Sequence, residues 1–319
     1  MLAPAFCPND FRTSRSYRAG PPRPARGAVK LGHTHMATKV EAFPARSAPT
    51  IVIRPTKGPI PPRISELWAY RELFAFLVWR DIKVRYAQTV LGAIWTVFQP
   101  LAMMLVYTYA FTQLARINTA PIPYALYALS GLALWTFVSR AVFQGASSLV
   151  AEMPLVTKTP TPRILIPLAA VVSMMVDFVI TLALFLVFDF AYGRHPDWRF
   201  AFIPFLLFLT FLLTFGLSLL LSATNVRYRD VGQALPFIIQ LWFFLSPIAF
   251  PLLTPGHSWE TYLQGLNPLV GFILAFRWAA LGTPAPHGLF VVAVIVTLLI
   301  FAAGVAYFSR ADRTLADDV

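Results

Sequence analysis

Four charged residues, Arg80, Asp81, Lys83 and Arg85, fall within six positions of the stretch WRDIKVRYAQTVLGAIWTVFQP, which then runs into a long apolar segment. Cations this dense beside an apolar run attract anionic lipid headgroups. Two further ionisable residues, Arg140 and Asp177, stand inside long apolar segments. Charge at such depth is costly and faces protein or water. Helix rise puts the two within several ångströms of the same depth, so an ion pair between them is feasible. A pathway-lining role and a proton relay are the competing readings. Other chemistry finds no residues. There is no G-x-x-x-x-G-K-[ST] phosphate loop for ATP hydrolysis. H-E-x-x-H does not occur, and the five histidines lack metal-ligand spacing. Carboxylates are not paired on one segment as acid–base catalysis requires. The one cysteine, Cys7, excludes an internal disulfide framework. The expectation is therefore a protein that is not an enzyme, with no metal and no cofactor in this chain.

The elements that carry these residues follow from composition. Of 319 residues, 57% are hydrophobic and 13% charged, about half the charged fraction of a soluble domain at roughly 25%. That points to an integral membrane protein. The net charge of +12 sits mostly ahead of Ile64, where 11 Lys/Arg face 2 acidic residues. Such a tail fits a membrane surface better than nucleic acid. Residues 1–62, rich in Pro, Arg, Ala and Ser, read as a disordered basic tail without a signal peptide. Met36, opening MATKVEAF, is a second candidate start.

From 63 to 90 an amphipathic helix is expected. Leu73, Phe74, Leu77, Val78, Ile82 and Tyr86 recur at spacings of three and four. Asp81 and Arg85 are spaced as an i,i+4 pair. Such a helix lies in the membrane interface, although a plain positively charged flank to the first span explains the same residues. Six apolar stretches are long enough to span, near 93–114, 124–146, 164–190, 201–222, 233–251 and 289–308. Between the last two, TYLQGLNPLVGFILAFRWAALG has a shorter apolar run, broken by Asn267-Pro268, and suits a re-entrant piece. The predicted fold is thus all-α, with six transmembrane helices in 91–308 and a short tail over 309–319. Arg80, Lys83, Arg85, Lys158, Arg163, Arg227, Arg229, Arg310 and Arg313 flank one side; Arg116, Arg194, Arg199 and Arg277 flank the other. The richer side is expected to be cytoplasmic, with both termini there.

WRDIKVRYAQTVLGAIWTVFQPL, LVTKTPTPRILIPLAAV, NVRYRDV, LWFFLSPIAF and LNPLVGFILAFRWAALG, in this order along residues 64–308, resemble the permease subunits of polysaccharide-exporting ABC transporters of the ABC-2 type. These move O-antigen, capsule or teichoic-acid chains on lipid carriers. The resemblance implies an interface helix, six spans and short gate helices before the last span. It also implies a homodimeric channel in the bacterial cytoplasmic membrane, driven by a separate homodimeric ATPase that binds ATP and Mg.

On that resemblance, AEMPLVTKTPTPR is the coupling element, with Glu152, Lys158 and Arg163 at the ATPase surface. It departs from its relatives in carrying Thr159-Pro160-Thr161 where aromatic residues usually precede the Pro-Arg. NVRYRDV would supply Arg227, Arg229 and Asp230 to the ATPase or to lipid phosphate, against the reading of a positive flank. Trp242, Phe243, Phe244 and Phe250 would stack on sugar rings along the channel, or face lipid as an aromatic belt. Arg80, Lys83 and Arg85 would receive the carrier's phosphate, or anchor to bulk anionic lipid. An ABC-2 permease for small drugs or lipids is the runner-up. A proton-coupled carrier would need an internal inverted repeat, and none is evident.

Overall fold

The computed structural model describes residues 68–87, 92–116, 119–154, 161–195, 197–250 and 265–317, all in the second of the chain's two units, Pro55–Val319. The basic tail, Met36, Lys158 and the 251–264 part of the expected gate segment lie outside the described residues.

The described residues are helical, without strands. The main helices are α1 (Arg71–Ala87), α2 (Gly92–Tyr109, continued by a wider turn over Ala110–Leu114), α3 (Tyr124–Ala151), α4 (Leu165–Ala191), α5 (Ile203–Arg227, entered through a tight turn at Trp198–Phe202), α6 (Asp230–Phe244), α7 (Pro268–Leu281) and α8 (His287–Asp317). Five stretches are long and apolar enough to cross a membrane: Ile94–Leu114, Tyr124–Ala151, Leu165–Ala191, Trp198–Arg227 and His287–Asp312.

The expected span at 233–251 is not one of these. Helix α6 stops at Phe244 after 15 residues. Pro247 follows, and proline has no N–H with which to continue a helical ladder. Segment 93–114 is also more than a plain helix. It carries Pro100, and Thr108 and Thr112 turn their hydroxyls back onto the carbonyls of Met104 and Thr108. The regular helix gives way to the wider turn next to these bonds.

Helix ends follow local chemistry. Asn267 caps α7, accepting from Leu269 N at 3.1 Å, and Pro268 occupies the first turn, where a missing N–H costs nothing. Gly282, at φ 70°, ends the same helix in the left-handed conformation that glycine adopts without steric penalty. Asp197 accepts from Trp198 N at 2.7 Å and opens the turn into α5.

Helix α3 is the hub. Of its most apolar window 78% is buried, against 17% for α2 and for α8. It packs on α4 and α5 and also meets α2, α6 and α7; α8 lies on α5 and α7, and α1 on α4. Several hydroxyls inside the bundle, those of Ser130, Ser148, Thr210 and Ser222, are satisfied within their own helices, while Ser218 reaches across from α5 to the Ala141 carbonyl of α3. That is the low-cost solution where no water can serve. Helices α5 and α8 approach backbone to backbone at Gly216 and Gly304. A Cβ on Gly304 would stand 2.4 Å from the Gly216 carbonyl oxygen, so only glycine fits.

Gly304→Val should therefore push α8 off α5 and destabilise the bundle by about 1–3 kcal/mol, the usual cost of overpacking. Thermal unfolding in detergent will read this as a lowered Tm. An unchanged Tm would mean that the two helices can separate freely.

Candidate functional site

Helix α1 turns its Leu73, Phe74, Leu77, Val78, Ile82 and Tyr86 face inward, where all six are buried or half-buried. That face meets α4, and Leu77 is the most deeply buried. Phe76, Trp79 and Val84 point outward, each more than half exposed. The charges do not all stay on the outside. Arg80 and Arg85 lie on the inward side, drawn there by acids on α3 and α4.

Two charged groups result. In the first, Arg80 grips Glu152, just past the end of α3, with both terminal nitrogens, at 2.7 and 3.1 Å. It also reaches Asp81 at 2.9 Å. Burial pulls the Arg80 pKa down, but the bonds to Asp81 and Glu152 outweigh it and the net direction is upward. A small cavity between Leu77, Gln144, Ser148 and Ala169 adjoins this group. Asp81 therefore pairs with Arg80, and the expected i,i+4 partner Arg85 turns elsewhere. Lys83 remains exposed, 4.6 Å from the centre of the Trp79 ring.

The second group surrounds Asp177 on α4. Its carboxylate receives Arg140 from α3 at 3.0 Å, Arg85 from α1 at 3.4 Å, and the Tyr86 hydroxyl. Arg85 also donates to the Ser173 carbonyl at 3.3 Å and hydroxyl at 3.2 Å. Arg140 donates to Gln99 of α2 at 2.5 Å. Burial and the bond to Asp177 both raise the Tyr86 pKa, so it stays a protonated donor near neutrality. Three helices thus meet at one carboxylate, a fourth joins through Gln99, and the sequence candidates Arg85, Arg140 and Asp177 come together here. Asp177 lies twelve residues beyond the start of α4, about 18 Å along the helix. Arg80, by contrast, sits near the end of α3.

The remaining candidates are dispersed. Arg163 binds Asp312 of α8, at 3.2 Å to the carboxylate and 3.0 Å to the carbonyl. Arg227, Arg229 and Asp230 are exposed at the corner between α5 and α6, and Arg227 lies 5.7 Å from the centre of the Tyr228 ring. Trp242 donates to Asn267 at 3.0 Å and meets Trp135 edge-on. Phe243 is buried against Trp135 and Tyr107. Phe244 is exposed and Phe250 half-buried.

Arg277 is not a loop charge on the poorer flank. It is 1% exposed, in the core. It donates to Tyr127 OH at 2.7 Å, Ile248 O at 2.8 Å, Ser130 Oγ at 3.2 Å and Tyr127 O at 3.3 Å. Its guanidinium also lies over the Tyr127 ring at 3.6 Å. Tyr124 holds the next carbonyl, that of Ala249. Gly131 makes room, since a Cβ there would come within 2.6 Å of Ile248 O. Among the described residues no carboxylate pairs with Arg277. The sequence signal was a lone charge inside the apolar run LVGFILAFRWAALG, preceded by the Asn-Pro of a helix start.

A family model described as ABC-2 type transporter matches residues 72–281. The chain is 32% identical over 253 residues to the O-antigen export system permease protein RfbA of Myxococcus xanthus, covering 78% of this chain and 96% of that protein. It is 27% identical to the protein of that name from Klebsiella pneumoniae, over 77% of this chain and 94% of the relative. With the polysialic acid transport protein KpsM of Escherichia coli it shares 22% identity, over 63% and 78% respectively.

Asp177→Asn should destabilise the protein more than Arg140→Gln. The first leaves two guanidiniums without a counter-charge; the second leaves the carboxylate with Arg85 and Tyr86. Removing one partner of a fully buried pair costs about 3–5 kcal/mol, and the partial exposure of the arginines lowers that figure here. Thermal unfolding of both variants will give the order. Arg277→Lys should also lower Tm, by an amount equivalent to about 1 kcal/mol or more. A point charge cannot serve a hydroxyl, a carbonyl and a ring together.

Proposed function

The chain belongs to the ABC-2 type transporter family, and we propose that it is the permease subunit of an ABC transporter that exports a lipid-linked polysaccharide. It is a multi-pass membrane protein and a transporter subunit rather than an enzyme. The observation that carries the proposal is the identity to O-antigen export permeases over 94–96% of their length. The match to a polysialic acid transport protein points to the same substrate class and away from small drugs.

In this reading one chain supplies half a channel. Two copies pair, and a separate homodimeric ATPase binds ATP and Mg and drives them. Helix α6 rises only about 22 Å, and with residues 245–250 it serves as the fifth of six crossings. Helix α7 is the re-entrant gate piece and α1 the interface helix. The protein resides in the bacterial cytoplasmic membrane with both termini inside, in keeping with the bias of Lys and Arg. With Arg277 buried, nine flanking cations on one side face three on the other.

The ion pairs bear on which candidates remain available. Glu152 and Arg163 are already held within the chain. Arg227, Arg229 and Asp230, exposed together, are better suited to the ATPase surface, along with Lys158. Arg80, Lys83 and Arg85 mark the side that receives the carrier headgroup. Trp242 and Phe243 are packed, which leaves Phe244 and Phe250 for glycan contact.

Deleting the gene in its host should abolish surface polysaccharide and leave lipid-linked polymer inside the cell, restored by the wild-type gene. Normal surface polysaccharide in the deletion strain would refute the proposal. Changing Arg227 and Arg229 together to Glu should reduce ATPase co-purification several-fold while leaving insertion and Tm unaltered. Arg163→Glu should instead lower Tm, by breaking the tie to Asp312. Full ATPase recovery with both exposed arginines reversed would remove them from the coupling surface.

A further inference from the structure

The charges at the junction of α1, α2, α3 and α4 are unevenly shared. In the group beside the end of α3, one cation, Arg80, faces two carboxylates, Asp81 and Glu152. Deeper along α4, two cations, Arg85 and Arg140, share the single carboxylate of Asp177. Among the described residues neither has a second acidic partner. Everything that turns toward Asp177 is a donor, and its side chain is only 4% exposed. The arginine side chains remain 25% and 32% exposed. Each guanidinium carries five N–H donors in a fork. Arg140 commits Nη1 to Asp177 and Nη2 to Gln99, which is itself exposed and keeps its amide NH2 available. A surplus cation at this depth is not left to hydrocarbon; it meets water or an anion.

We propose that Arg85 and Arg140, with Gln99 beside them, form a phosphate-binding site that takes the phosphate or diphosphate headgroup of the lipid-linked substrate. This rests on the exporter function above and names the residues that read its substrate. Arg80 is a poor candidate, because two acids already neutralise it. Lys83 sits outside, over Trp79. Of the three cations that the sequence singled out on α1, only Arg85 belongs to the site, and its companion comes from α3. Asp177 is the positioning residue. It holds both forks in place and weakens their hold on an anion, so that the headgroup can leave.

The test uses the full permease–ATPase complex in phosphatidylcholine nanodiscs, with polyprenyl phosphate as probe and native mass spectrometry as readout. Polyprenol without the phosphate, inorganic pyrophosphate and phosphatidylglycerol are the comparison ligands. Wild type should bind polyprenyl phosphate in clear preference to polyprenol. Arg85→Gln and Arg140→Gln should each weaken binding about tenfold, the loss expected for one charge-assisted contact. Asp177→Asn should bind more tightly than wild type, the opposite of what a purely structural ion pair would give. Arg140→Lys keeps the charge and carries the test if the glutamine variant does not fold. Pyrophosphate binding with the same dependence on Arg85 and Arg140 would support the site with the phosphate alone as its ligand. Unchanged binding in both glutamine variants, weaker binding in Asp177→Asn, or equal binding of phosphatidylglycerol would overturn the proposal. Any of these would leave the exporter function standing, since that is judged separately by surface polysaccharide in cells.

Discussion

Asp177 is one carboxylate in the middle of a long apolar helix, and the arrangement of this end of the protein depends on it. An ionised carboxylate in that setting must be paired. Its three donors come from α1 and α3, and through Arg140 the network reaches Gln99 on α2. Helix α1 also packs its apolar face on α4, and α2 lies against α3; this polar junction ties those contacts together at one point. It also explains why Arg85 abandons its neighbour Asp81. The deeper acid is nearly sealed from solvent and needs the cation more. Asp81 is left to Arg80, which is long enough to hold Glu152 as well.

The far part of the bundle is organised around the opposite charge. Arg277 has neutral partners throughout: two hydroxyls, two carbonyls and a ring face. Together they stitch α7 to α3 and to the chain that leaves α6. Asn267 adds a second stitch. It accepts from Trp242 while donating to Ser246 at 2.9 Å and capping α7. The short helices α6 and α7 are therefore held by directed polar bonds rather than by length.

Between these two sites lies α3, buried on nearly all sides. It supplies Arg140 to one cluster and Tyr127 and Ser130 to the other. A displacement of α3 would be felt at both. The exposed apolar faces of α2 and α8 contribute little to this core and are free to meet lipid or a second copy of the chain.

Much of the architecture was legible in the residues alone. Hydropathy is a local sum, so the runs near 124–146, 164–190 and 201–222 lie within helices Tyr124–Ala151, Leu165–Ala191 and Trp198–Arg227, and the run near 289–308 lies within α8. The motifs from WRDIKVRYAQ to LNPLVGFILAFRW identified the family. The near-equal depth of Arg140 and Asp177 followed from helix rise. What the sequence could not decide was choice of partner. Arg85 had a correctly spaced acid four residues back and took one ninety-two residues away; Arg80 reached Glu152 across seventy-two. Arg277 looked like a flanking charge because the carbonyls and rings that hold it come from α3 and from the end of α6. The apolar run at 233–251 holds a regular helix only as far as Phe244, and hydropathy does not register the helix-breaking geometry at Pro247. Composition determines which segments leave water. Which side chains meet afterwards depends on how helices cross, and only the tertiary structure specifies that.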